Sequence, residues 1–320
     1  MIVDLPDTTT SNVSKKLVTI REEGGAVALG RVLTLVISTG FGTEEVAIEA
    51  ANEASREHPM RVIVLLTDPD DADAPARLDA QIRVGGDAGA SEVVLLRAYG
   101  QAASNEESLI TGLLLPDAPV VAWWPGVAPE RAASSPIGRI AQRRITDSSQ
   151  SEDSTAMLRE LHDTYAPGDT DFAWTRLTLW RAQLAAVLDQ PPYESVTAVR
   201  VEGGEDSPST VLLAAWLQLQ LDVPVDYTLF PRGSGVSGIH SVQLDRPSGT
   251  ISLERPIDST ATLVQPDQPT HDIELPRRNL RDCLAEELRR LDPDALYGQV
   301  ITRGLDALAS EGRRQAVSAR

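Results

Sequence analysis

Between Val32 and Leu66 the chain spells a strand, a helix and a strand, and few folds accommodate that order. Val32 to Ile37 is an unbroken apolar run, the mark of a strand buried on both faces. Thr43 then caps a helix with Glu44 and Glu45 in its first turn, where carboxylates suit the positive end of the helix dipole. His58 and Pro59 end that helix, and Arg61 to Leu66 is again apolar enough to be buried. Such a unit is the right-handed crossover between parallel strands, so the first half is α/β.

The neighbouring segments extend the same sheet. Upstream, Val13, Leu17 and Ile20 share one face of a helix from Ser14 to Glu23, with Gly24 and Gly25 as its left-handed stop. Ala80 to Val84 and Glu92 to Arg97 flank Gly85, Gly86 and Gly89 as a hairpin or a loose connection added to that sheet. Ser104 and Glu107 form a capping box opening a helix to Leu115, and Ala118 to Trp123 returns as a strand. The adjacent Trp123 and Trp124 therefore stand at a strand's carboxyl end, the edge where open α/β sheets collect ligands.

The second half repeats the logic. Met157, Leu158 and Leu161 stripe one helix, and Leu177, Trp180, Leu184, Val187 and Leu188 a longer one closed by Pro191 and Pro192. Val196 to Val201 reads as a strand, Ser207 and Pro208 open a helix to Leu221, and Val223 to Phe230 is extended. Ile239 to Leu244 and Thr250 to Glu254 flank a turn at Arg246 to Gly249, and helices from Leu280 and Pro293 finish the chain. The expected fold is α/β with α+β elements: two domains, each a small mixed sheet flanked by helices. Residues 1–165 carry the Trp-Trp/Arg segment, and 166–320 end in two helices. A likeness between 109–115 before Pro119 and 211–221 before Pro224 suggests a weak internal duplication.

Charge narrows the function. With 47 acidic against 29 basic residues and a net charge of −18, attraction to nucleic acid or anionic lipid is disfavoured. The longest apolar runs are far shorter than the roughly 20 residues that cross a bilayer. The single cysteine, Cys283, forbids an internal disulfide, and the amino terminus lacks the pattern of an export signal, so a cytoplasmic protein is expected. No cofactor or metal is expected either. Gly233, Gly235 and Gly238 match the dinucleotide fingerprint, but the alternating segment after them is a strand, not the helix that would hold a pyrophosphate. The four histidines are too scattered to ligate metal within one element. Acidic pairs such as Asp70/Asp71 and Glu286/Glu287 read as solvated surface.

Against that acidity, the run from Arg131 to Arg144 contains four arginines and no acidic residue. Trp and Arg are the residues most enriched at the energetic centres of interfaces, and neither does proton chemistry at neutral pH. Trp124, Arg139, Arg143, Arg144 and Asp147 are therefore candidate partner-binding residues, joined by Trp174 and Arg181, which stand at helical spacing from Asp171, Arg176 and Trp180. The plainer reading is that Trp123 ends a buried strand and the arginines pair with internal carboxylates. No acid, base or nucleophile constellation accompanies them, so no catalytic residue is named.

Ala122-Trp123-Trp124-Pro125-Gly126, then Gly138 to Asp147 as GRIAQRRITD, then Pro167 to Arg181 as PGDTDFAWTRLTLWR, together resemble bacterial glucose-6-phosphate dehydrogenase assembly proteins of the OpcA type. Leu291-Asp292-Pro293-Asp294 and the two-part layout fit as well. The resemblance implies a non-catalytic protein that binds glucose-6-phosphate dehydrogenase, favours its active oligomer and stimulates it allosterically at the entry to the oxidative pentose phosphate pathway. Thiol control within the chain is not expected with one cysteine. The alternative is a sugar-phosphate-binding enzyme or sensor whose Arg139, Arg143 and Arg144 grip a phosphate, with Asp147 or Asp169 moving protons.

Overall fold

The structure, a computed structural model, describes residues 1–23, 31–67, 74–85, 92–256 and 259–310. The chain packs into two compact units, one of residues 1–147, 168–170 and 279–293, the other of 148–167, 171–278 and 294 onward.

Strand β1 (Ile2–Leu5) and helix α1 (Thr10–Glu23) begin the first unit. Val13, Leu17 and Ile20 are the buried residues of α1, as their spacing demands, while Gly24 and Gly25 lie outside the described residues. β2 (Leu33–Thr39), α2 (Glu44–Ala54) and β3 (Met60–Thr67) form the expected crossover, with β2 and β3 parallel and Leu35 opposite Val62. Both strands are buried almost throughout, which is why they are unbroken apolar runs rather than alternations.

β4 (Arg77–Val84) and β5 (Glu92–Tyr99) pair antiparallel, and β5 also runs parallel to β3. The glycines expected to turn that hairpin, apart from Gly85, fall outside the described residues, as do Asp70 and Asp71. α3 (Glu106–Thr111) is shorter than expected and differently capped: Asn105 accepts from the Ser108 amide at 3.2 Å. Ser104 closes a preceding 3₁₀ turn, its hydroxyl donating to the Gln101 carbonyl at 2.7 Å, so it is out of place as a cap. β6 (Val120–Trp123) and β7 (Arg143–Thr146) complete a parallel block; α4 (Ser154–Thr164) belongs to the second unit, and β8 (Asp169–Asp171) closes the first sheet. Its order is β1-β4-β5-β3-β2-β6-β7-β8.

In the second unit, α5 (Phe172–Thr175) and α6 (Thr178–Leu188) precede β9 (Ala198–Gly204), α7 (Pro208–Leu221) and β10 (Val225–Phe230). β9 and β10 are parallel, a second crossover. α7 is apolar nearly all round because it is core: Val211 to Ala215 and Leu217 are all buried, together with Trp174, Trp180 and Tyr297. β11 (Ile239–Arg246) and β12 (Gly249–Glu254) make the expected hairpin, and β13 (Thr260–Val264) and β14 (His271–Glu274) extend it. This sheet runs β10-β9-β11-β12-β13-β14. The two sheets differ in strand number and order, and α3 is less than half the length of α7, so the expected duplication reduces to one shared crossover.

α8 (Leu280–Arg289) returns to the first unit against α2, while α9 (Ala295–Gln299) runs on through a π-helical turn at Val300–Gly304 in the second. No described helix is long and apolar enough to cross a membrane.

Candidate functional site

Five of the seven residues expected to bind a partner are buried. Trp124 follows β6 at 4% exposure, its amide donating to the Ile145 carbonyl at 3.0 Å. Asp147 is buried at the end of the first unit. Trp174, in the second unit, donates from its indole nitrogen to Asp294 at 2.9 Å, and the half-buried Arg181 guanidinium stacks over its ring at 3.8 Å. Arg143 and Arg144 are successive residues of β7, so their side chains leave opposite faces. Arg143 reaches Glu287 of α8, with Nε at 3.0 Å from Oε2, and the Asp292 carbonyl at 2.8 Å. Arg144 pairs with Asp169 and donates to the Ala141 carbonyl at 3.0 Å.

These pairings explain the sign reversal along 131–144: the carboxylates exist, but they lie far away in sequence. They also correct one expectation. Glu287 is not solvated surface; it is 5% exposed because Arg143 requires a partner there. Arg143 and Arg144 spend their guanidiniums on Glu287 and Asp169 inside the chain, and Arg139 pairs with Glu107 at the surface.

Arg139 stands apart. Its side chain is 59% exposed and its bond to Glu107, at 2.9 Å, is a surface pair worth no more than about 1 kcal/mol. It lies on the excursion between β6 and β7, which leaves the sheet's carboxyl edge and also displays Arg131 and Val127, the latter 96% exposed. Trp124, Ala132, Ile137 and Ala141 share one buried cluster at the base of that excursion. The buried Trp124 thus holds a surface loop rather than forming the surface. Val127 was not singled out from sequence, because one apolar residue in a Pro- and Gly-rich stretch carries no pattern.

A second place bears on chemistry. Strands β5, β3, β2, β6 and β7 are all parallel, and chain progression reverses between β2 and β6, the switch point at which doubly wound sheets bind nucleotides. The turn after β2 is Gly40-Phe41-Gly42, with Gly42 at φ +85°. Its amide, however, donates to Oε2 of Glu44 at 2.7 Å. Glu45, where the fingerprint's third glycine would stand, is ion-paired to Arg83 at 2.7 Å. Two carboxylates occupy the helix end that would meet a pyrophosphate, and like charge disfavours one there. Gly233, Gly235 and Gly238 all have positive φ and lie in the β10–β11 connection, followed by a strand as expected. Among the described residues no group of His, Cys, Asp or Glu is placed to hold a metal ion, and Cys283 is buried.

Comparison with known families is decisive for identity. The family profile described as the glucose-6-phosphate dehydrogenase subunit N-terminal domain matches residues 51–163, and the one described as its C-terminal domain matches 167–301. The chain belongs to the OpcA family of glucose-6-phosphate dehydrogenase subunits. The two OpcA domains meet between 163 and 167, whereas the compact units divide at 147/148 and exchange short segments afterwards.

No curated protein matched the sequence. Among solved structures, an oxidoreductase from Sinorhizobium meliloti is similar at 12% identity and TM-score 0.47, covering 88% of this chain and 98% of that one. A 3-ketoreductase from Actinomadura kijaniata is similar at 11% identity and TM-score 0.46, over 87% and 98%. A myo-inositol dehydrogenase from Lactobacillus casei is similar at 11% identity and TM-score 0.37, over 88% and 95%.

Proposed function

We propose that the chain is a non-catalytic assembly factor and allosteric activator of glucose-6-phosphate dehydrogenase, acting in the cytoplasm at the entry to the oxidative pentose phosphate pathway. The supporting observation is the match of both halves to the two domains of a dehydrogenase subunit family. The carboxylates at the β2–α2 turn agree with a chain that does not use a dinucleotide itself. A binding protein can shift its partner's conformational equilibrium only by its differential affinity for the two states, so activation requires contact with a surface that changes between them.

Of the residues expected at the interface, Arg139 is the one we place in direct contact, together with Arg131 and Val127 on the same excursion. Its weak surface pair is readily exchanged for one across an interface. Trp124, Arg143, Arg144 and Asp147 support that loop from beneath, and Trp174 with Arg181 does a comparable packing task in the second unit.

The test is co-elution with purified glucose-6-phosphate dehydrogenase on a sizing column, paired with initial rates across glucose 6-phosphate concentration. Co-elution with a lower KM or a higher kcat is expected. Combining V127D with R131E and R139E is expected to abolish both without lowering the melting temperature. A complex that forms with no kinetic change would reduce the role to a structural subunit; no complex would overturn the reading.

A further inference from the structure

Strand β11 carries a charge on its buried face. A strand sends every second side chain to the same side, and Val242, Leu244 and Arg246 form such a row. Val242 and Leu244 belong to the core of the second unit, and Arg246 continues their row at the end of the strand, 8% exposed. A guanidinium keeps its proton at any ordinary pH, so a positive charge is held there permanently and needs a partner.

The chain satisfies that charge only in part. Nη1 donates to the Pro192 carbonyl at 3.1 Å, while Nε is buried without a hydrogen bond. Among the described residues Arg246 forms no ion pair. Asp245, its neighbour in sequence, leaves the opposite face of the strand and pairs with Arg200 at 3.3 Å. Glu194 is engaged by Ser248, whose amide donates to Oε2 at 3.0 Å. The hydrogen bonds from Ser248 hold the Glu194 carboxyl below its ordinary pKa, and the charge of Arg246 adds to that without a direct contact.

Arg246 lines a cavity of about 170 Å³ at this end of the second sheet. Its apolar wall is made by Pro191, Pro192, Ile251 and Pro266, and Asp267 is the one carboxylate among the lining residues. Pro266 sits close over the hairpin, since a Cβ on Gly249 would stand 2.9 Å from its Cγ. Asp267 is exposed, so it belongs to the rim and not to the interior.

From this geometry we infer that the cavity is a binding site for a small monocarboxylate, whose charge Arg246 takes and whose short carbon chain the prolines cover. A planar carboxylate matches the fork of a guanidinium, and with Nη1 engaged by Pro192 the Nε edge is the one without a partner. One guanidinium answers one negative charge, and Asp267 at the rim repels a second, so a phosphate dianion is disfavoured. The volume lies below the about 300–1,000 Å³ of drug-sized sites, which limits the occupant to a few non-hydrogen atoms. The site belongs to the second unit and the excursion assigned to the dehydrogenase to the first, so the two readings stand or fall separately.

An NMR titration of the ¹⁵N-labelled full-length chain tests this without the partner, read at the arginine Nε–H signals and at the backbone amides of Ser248 and Ile251. The probes are propionate, its neutral isostere propionamide, and inorganic phosphate. Propionate is expected to shift these signals to saturation, with phosphate at least about tenfold weaker and propionamide without effect. R246Q is expected to abolish the response to propionate. D267N keeps the experiment decisive should R246Q fail to fold: asparagine tolerates the left-handed φ of +57° at that position, and loss of the rim charge is expected to tighten propionate about twofold. No saturable shift, equal responses to propionate and propionamide, phosphate bound as tightly as propionate, or unchanged affinity in every variant that folds would overturn the proposal.

Discussion

Arg143 and Glu287 stand 144 residues apart in the chain and meet inside the first unit, joining β7 to α8 through a pair in which both side chains are at most 5% exposed. Thr170 adds a third member, its hydroxyl 3.4 Å from the second carboxylate oxygen. Removing one partner strands the other as a buried charge, which costs about 3–5 kcal/mol, whereas replacing both with apolar residues is often close to neutral. E287A is therefore expected to lower the urea midpoint of the first unit sharply, and R143M/E287L to recover most of the loss. If E287A melts like the parent chain, the pair carries no stability and Arg143 is available for other work.

Gly168 governs the other arginine. It has φ +100°, and a Cβ there would lie 2.6 Å from the Gln142 carbonyl oxygen and 2.8 Å from Arg144 Nη2. Backbone strain and displacement of the ion-paired guanidinium act together, so G168A is expected to destabilise by roughly 1–3 kcal/mol. An exposed change elsewhere in the first unit, Lys15→Ala, is expected to remain within about 0.5 kcal/mol. Thermal unfolding of the two variants side by side checks this, and equal melting temperatures would remove the strain argument.

Why some of this was legible in the sequence and some was not follows from where each residue finds its partner. β2 and β3 announce themselves because a strand buried on both faces must be apolar along its length, and α7 because Ser207-Pro208 marks its start. β7 did not, since Arg143 and Arg144 look like surface charge until Glu287 and Asp169 arrive from elsewhere in the chain. β13 and β14 are short outer strands, half exposed, with no continuous apolar run to betray them.

The β2–α2 turn yields a prediction that separates fold from chemistry. Glu44 accepts from the Gly42 amide and also lies 3.7 Å from Arg97, so the backbone donor that would serve a pyrophosphate is engaged within the chain. Titration with NADH or NADPH, followed by nicotinamide fluorescence, is expected to show no saturable signal in the parent chain. Weak binding that appears only in E44A/E45A would show that these carboxylates exclude the dinucleotide. Saturable binding by the parent chain would contradict the exclusion.

His162 supplies the pH dependence. Its ring nitrogens lie 2.7 Å from Asp163 and 3.3 Å from Asp306. The hydrogen bond to Asp163 holds its pKa above the ordinary histidine value of 6.5 against the opposing effect of partial burial, with the hydrogen bond to Asp306 adding to the rise. A pKa raised in the folded state means that folding takes up protons. The contribution is therefore fully present below the unfolded value and is lost as pH rises through the folded value. The second unit is expected to lose a little stability as pH rises above 6.5, and H162Q is expected to flatten that slope while lowering stability most at acid pH. Because both carboxylates are about three-quarters exposed, the effect should also shrink with added salt. Melting temperatures of the parent chain and H162Q between pH 5.5 and 8.5, at low and high salt, decide it: parallel curves would mean that His162 does not titrate as its surroundings require.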